Sequence, residues 1–128
     1  VEVSVRESDG VTVVHAAGKV LGGSESDPLR AEFDRLLDRD VRRVLIDLEG
    51  VPWLNSAGLG VFLSAYSRLR ERGATVRWCG VGPRVRGILR TTKLLTVLTV
   101  LDDARAGIRS FAADASEEAE AGKRPTPP

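Results

Sequence analysis

The chain holds little of what most enzymes are built on. It has one histidine, His15, one cysteine, Cys79, and no methionine. A lone cysteine forms no intramolecular disulfide, and one Cys with one His supplies no Cys/His zinc site. Any Ser-His-Asp or Cys-His centre would rest on His15 alone. An excess of one charge is also missing. Lys and Arg number 19 against 18 Asp and Glu, a formal net of +1. That balance argues against a basic coat for nucleic acid. No run approaches the roughly 18 apolar residues of a membrane span, and no charged-then-apolar leader opens the sequence. These absences predict a soluble, cytoplasmic protein with no membrane insertion, no metal, no cofactor and no catalytic set.

What is present fits one domain. The 128 residues match the usual domain size of about 100–150. A chain of that length buries a core without disulfides or a structural metal. Its charge is unevenly spread. Between Glu49 and Asp102 the only acid is Glu71, while Arg68, Arg70, Arg72, Arg77, Arg84, Arg86, Arg90 and Lys93 lie there. Solvated helix faces explain such a stretch, and so does a basic face that meets an acidic partner or a phosphate. From Asp114 the chain loses its large apolar residues and closes on Pro125, Pro127 and Pro128. Residues 114–128 therefore read as a disordered acidic and proline-rich tail, and 1–113 as the domain.

The body alternates strand and helix. Val1, Val3 and Val5 alternate with polar residues, the period of a half-buried strand. Asp9-Gly10 signals a tight hairpin into a second strand, Val11–Ala17. Asp27, as a cap, and Pro28 open a helix that buries Leu29, Phe33, Leu36 and Leu37. Val44–Leu48 is a buried strand, and Val51–Leu54 prolongs its apolar character. A helix follows with Leu59, Phe62, Leu63, Tyr66 and Leu69 on one face, ended by Gly73. Ala74–Trp78 is a strand, Pro83 opens a helix, part of Leu94–Leu101 is a strand, and Asp102-Asp103 open a last helix. The order is β-β-α-β-α-β-α-β-α. Strands joined through helices run parallel. The fold class is α/β, a mixed, mostly parallel sheet of about five strands with four helices.

Open sheets of this class bind at the carboxyl ends of their parallel strands. Three loops leave those ends: Gly18–Ser26, Pro52–Ser56 and Cys79–Pro83. The middle one carries Asn55-Ser56-Ala57-Gly58 directly before an amphipathic helix. Ser56 there is either a helix cap or a phosphate site, since a helix start offers free N–H groups and a positive dipole end. Gly58 and Gly60 either leave room for a partner's backbone or pack closely on the sheet. His15, inside a strand, reads as structural, and Cys79 as a small buried apolar residue. Asp47 and Glu49 alternate on one strand face and read as solvated strand-end acids rather than a catalytic pair.

At these residues the sequence resembles the STAS family, and within it the stand-alone anti-sigma factor antagonists of bacterial partner switching. The specific stretch is Val44–Leu63, which holds the strand, the short apolar turn, Asn55-Ser56-Ala57-Gly58-Leu59 and the helix start. Gly80–Leu89 is a second, weaker match. The resemblance implies the STAS fold over about residues 1–113. It also implies a protein-binding role in which an anti-sigma factor that is a serine kinase binds the unphosphorylated antagonist. Phosphorylation then breaks that complex, and a PP2C-type phosphatase restores it. Residue by residue, the acceptor falls on Ser56, and the partner-binding positions on Gly22, Gly23, Ser24, Asn55, Ser56, Ala57, Gly58, Gly60, Gly82 and Arg84. Two positions depart from the family pattern. Asn55 replaces its usual Asp, and the loop Gly18–Asp27 lacks its early Asp. These departures keep open a STAS module of another system, such as a stress-signalling scaffold or a lipid-transport ATPase subunit. A nucleotide or nucleic-acid binder built on Arg84 and Arg86 is disfavoured, because no Walker sequence and no full Gly-x-Gly-x-x-Gly is present.

Overall fold

The computed structural model describes the backbone of residues 1–123 and the side chains to Asp114. Strand β1 (Glu2–Ser8) turns antiparallel into β2 (Val11–Ala17). The turn residues Asp9 and Gly10 both have positive φ, 52° and 78°. That geometry matches the twist of the flanking strands and is the hairpin Asp-Gly predicts. Helix α1 (Asp27–Asp38), β3 (Arg43–Gly50), α2 (Ser56–Glu71), β4 (Thr75–Cys79), α3 (Pro83–Thr91), β5 (Val100–Leu101) and α4 (Ala104–Lys123) follow. The sheet runs β1-β2-β3-β4-β5, parallel from β2 onward.

Each strand shows its two faces by alternation. Val14, Ile46 and Trp78 join Phe33 of α1, Phe62 of α2 and Leu89 of α3 in the larger core. Val13, Leu45 and Cys79 point the other way and meet Phe111 of α4. The larger core is organised by aromatic edges: Phe62 lies 6.1 Å from Phe33 and 6.0 Å from Trp78. The smaller face is closed by α4 alone. Gly107 lets that helix lie flat, since a Cβ there would come within 2.6 Å of the Leu45 methyls. Arg77 crosses from β4 to pack on the Phe111 ring at 4.5 Å and to donate to the Ser110 hydroxyl at 2.8 Å.

Two local expectations change, at Asp27 and in the last segment, and two others become specific. Asp27 is the first helical residue of α1, not its cap. Ser26 holds the cap position, because a short 3-10 turn over Ser24–Ser26 leads straight into the helix. Val51–Leu54 keeps its apolar character, with Val51 and Leu54 buried, but lies outside β3. Leu54 forms an isolated parallel bridge with Val20 instead. Part of Leu94–Leu101 is strand, as expected: it is Val100–Leu101, because Lys93, at φ 62°, breaks from α3 and Leu94–Thr96 coils into a 3-10 turn. The last helix runs on to Lys123, past the 114 boundary expected for a disordered tail. Alanine and glutamate dominate that stretch, and both favour helix. The final residues of that tail, 124–128, lie outside the described residues.

The smaller face gives a direct test. Phe111→Ala is expected to cost about 3–5 kcal/mol, read as a lowered urea midpoint. An unchanged midpoint would show that α4 is dispensable for covering Leu45.

Candidate functional site

The carboxyl edge of the sheet is built by two loops that continue the parallel pairing beyond the strands. Gly18 donates its N–H to the Gly50 carbonyl at 2.8 Å, and Asn55 donates to the Val20 carbonyl at 3.4 Å. Val20 is fully buried where it bridges Leu54. Two glycines then let the β2–α1 loop touch the start of α2. A Cβ on Gly58 would lie 1.9 Å from the Val20 carbonyl oxygen. A Cβ on Gly22 would lie 2.5 Å from that of Ala57, and Gly22 also has a φ of 81°. Glycine is required at both positions. Gly58 therefore packs inside the protein and leaves no room for a partner's backbone there, which corrects that expectation. Gly60 does face open space.

The loop itself is held from below. Arg30 of α1 donates to the carbonyls of Gly22 and Gly23 and pairs with Asp27 at 3.0 Å. Gly22 N–H donates to the Ser26 hydroxyl at 3.1 Å, and that hydroxyl donates to Glu25 at 2.6 Å. Glu25 also accepts from the Gly23 N–H at 2.8 Å. The Ser26 hydrogen bond holds the Glu25 carboxyl below its ordinary range. Ionised Glu25 therefore supports the loop above the ordinary carboxylate pKa, and that support fades as pH falls through its lowered value.

At the start of α2 the two candidate roles separate. Asn55 is the cap: its Oδ1 accepts the Gly58 N–H at 2.7 Å. Ser56, the first helical residue, is exposed, and its hydroxyl has no hydrogen-bond partner among the described residues. The hydroxyl is thus free rather than spent on capping. Around it the first-turn N–H groups and the helix dipole favour negative charge.

The third loop is joined to the edge at its base. Gly80, with φ 69°, lies so close to β3 that a Cβ would sit 2.6 Å from Asp47 Oδ1. Gly82 caps α3 with its backbone and faces open space, and Arg84 is exposed on the first turn of α3. Gly23, Ser24 and Ala57 are exposed as well, while Gly22 and Asn55 are half-buried. Sequence reasoning missed Leu21 and Arg30. Leu21 stands 37% exposed between buried Val20 and Gly22. A large apolar residue isolated in a glycine-rich loop is the signal that marks it.

Asp47 is not a solvated acid. It is 5% exposed. It pairs with His15 Nδ1 at 3.1 Å and accepts the Glu49 N–H at 3.0 Å. It ties β2 to β3 at the edge, which gives His15 the structural place expected of it. Burial pushes the neighbouring Cys79 thiol up to about 12, and the Asp47 charge adds to that effect. A thiol so protonated is a poor nucleophile. The strand order also runs without reversal, so the edge lacks the crevice that a topological switch point creates.

A family model described as "STAS domain" matches residues 2–106. The chain belongs to the STAS family. It is 25% identical over 103 residues to an anti-sigma F factor antagonist from Paenibacillus polymyxa, covering 80% of this chain and 87% of the relative. An anti-sigma factor antagonist from Mycobacterium paratuberculosis has the same fold, with a TM-score of 0.73 at 22% identity over 85% of this STAS chain and 92% of that one. The Bacillus cell fate determinant SpoIIAA, solved in its phosphorylated form, matches with a TM-score of 0.65 at 14% identity, over 85% of this chain and 99% of its own.

Two outcomes check the edge of this STAS domain. Gly58→Ala is expected to destabilise by about 1–3 kcal/mol through overpacking, whereas Gly60→Ala stabilises by up to about 1 kcal/mol through helix propensity. Chemical denaturation of both variants measures the contrast, and equal effects would remove the Val20 contact from the explanation. Cys79 is expected to resist alkylation at pH 8 in the folded protein and to react once unfolded. Fast labelling of the native chain would contradict a buried, protonated thiol.

Proposed function

We propose that this STAS domain is an anti-sigma factor antagonist of the partner-switching type. Its unphosphorylated carboxyl edge binds an anti-sigma factor that is also a serine kinase, and so frees a sigma factor. Phosphorylation of Ser56 ends that binding, and a PP2C-type phosphatase restores it. The domain works in the cytoplasm, and its role is binding rather than catalysis. One observation carries the reading: Asn55 provides the helix cap, so the Ser56 hydroxyl stands exposed and unbonded on the edge. The antagonist relatives and the phosphorylated neighbour support it.

The physics of the switch is local. A phosphate on Ser56 adds about −1.5 to −2 charges. The α2 N-terminus tolerates that charge, so the fold survives. A partner seated on the edge would have to desolvate a dianion, which opposes docking. Gly23, Ser24, Ala57, Gly60, Gly82 and Arg84 supply the surrounding contact surface, with Gly22 and Asn55 shaping it.

Ser56→Asp is expected to weaken binding to the kinase at least about tenfold, roughly 1.4 kcal/mol, in a direct titration. Incubation with the kinase and ATP is expected to place one phosphate on Ser56, located by mass spectrometry. Undiminished labelling of Ser56→Ala would sink the assignment. A stable partner without a kinase fold would favour a STAS subunit of another system, to which the neutral Asn55 beside the acceptor also points.

A further inference from the structure

We propose that the groove between the β1–β2 hairpin and α4 is a binding site for a phosphate monoester. The groove has a volume of about 360 Å³ and is lined by Arg6, Ser8, Asp9, Arg105, Ile108 and Arg109. It lies at the amino end of β2, opposite the end of the sheet that carries Ser56. It is therefore independent of the partner-switching reading.

The charge arrangement is the first argument. Arg30, Arg35, Arg39, Arg42, Arg68 and Arg77 each meet an acid. Among the described residues nine other arginines meet none, and three of these, Arg6, Arg105 and Arg109, are all exposed and border one groove. Arg105 and Arg109 are four residues apart on α4, so they share a side of the helix, where like charges repel. Arg6 approaches from β1, on the strand face opposite Val3 and Val5, which pack into the larger core. Arg43 adds a further guanidinium beside the turn, with Nη1 3.7 Å from where a Gly10 Cβ would stand. An entering anion relieves this repulsion.

The second argument is the match of chemistry. Among the described residues Asp9 is the one acid lining the groove, so three guanidiniums against one carboxylate leave a charge of about +2. A phosphate monoester carries about −1.5 to −2 at neutral pH, whereas a single carboxylate would leave half of that charge uncompensated. Guanidinium forks fit phosphate oxygens two at a time. The Ser8 hydroxyl offers another donor, and Ile108 gives an apolar wall for the organic part of the ester.

The test is a calorimetric titration of the full chain with glycerol 3-phosphate, with inorganic phosphate as the head group alone and acetate as the monoanion. Glycerol 3-phosphate is expected to bind saturably and more tightly than acetate. Arg109→Ala and Arg6→Ala should each weaken it at least about tenfold, and Arg109→Lys should recover part of the loss. Arg90→Ala, an exposed charge on α3, should leave it unchanged. Thermal melts of the variants should match the parent, because all of these side chains are exposed. Absence of saturable binding overturns the proposal, and so does equal weakening by Arg90→Ala. Co-sedimentation with phosphatidylcholine vesicles, with and without phosphatidic acid, separates two sources of the ester. Pelleting that needs phosphatidic acid and Arg109 assigns a lipid head group. Ester binding without pelleting assigns a soluble ester.

Discussion

The contact on which this edge depends is the closest one in it, the seating of the first turn of α2 on the backbone of Val20. No side chain fits between them, so residue 58 is glycine. The same closeness lets Leu54 bridge Val20 and brings Ala57 against Gly22. Two loops that are far apart in sequence thereby become one rigid surface. Arg30 fixes the far side of that surface through the carbonyls of Gly22 and Gly23. Docking onto it loses less loop entropy than docking onto two independent loops would.

The polar groups at the sheet's end serve the same purpose. Asp47 is buried, yet His15 and the Glu49 N–H satisfy it, which is the condition for holding a carboxylate inside a fold. A search for catalytic sets would pick out His15, Asp47 and Cys79. Their geometry shows a strand tie and a protonated thiol instead. The near-zero net charge hides a comparable division of labour. Acids and bases pair along α1 and between β4 and α4, while Arg6, Arg105 and Arg109 outnumber Asp9 at the groove between the hairpin and α4.

Much of this was legible in the sequence, for identifiable reasons. Apolar patterns together with Pro and Asp start signals placed the five strands and four α-helices, because each element buries one face or two. Asp9-Gly10 located the hairpin through the positive φ that the turn demands. Ser56 was found because its position before an amphipathic run is a local fact. What stayed hidden depends on contacts between distant residues. Whether Asn55 or Ser56 holds the cap turns on which oxygen reaches the Gly58 N–H. Gly58 reads equally as open space or tight packing until Val20 is placed beside it. The exposure of Asp47 was misjudged because pairing with His15 is a cross-strand event. The start of the last segment was misjudged because a lack of large apolar residues was weighed above its alanine and glutamate content.

The unbroken strand order has a consequence for how this protein comes into being. Every pair of hydrogen-bonded strands is consecutive in the chain, so each parallel pairing closes across only one helical connection. The interlocked edge, from Val20 and Gly22 to Ala57 and Gly58, lies wholly in the first half of the chain. During synthesis from the N-terminus those residues emerge well before α4, whose arrival closes the opposite face. The interlocked edge is therefore laid down first, and the helix that seals the sheet is added after it.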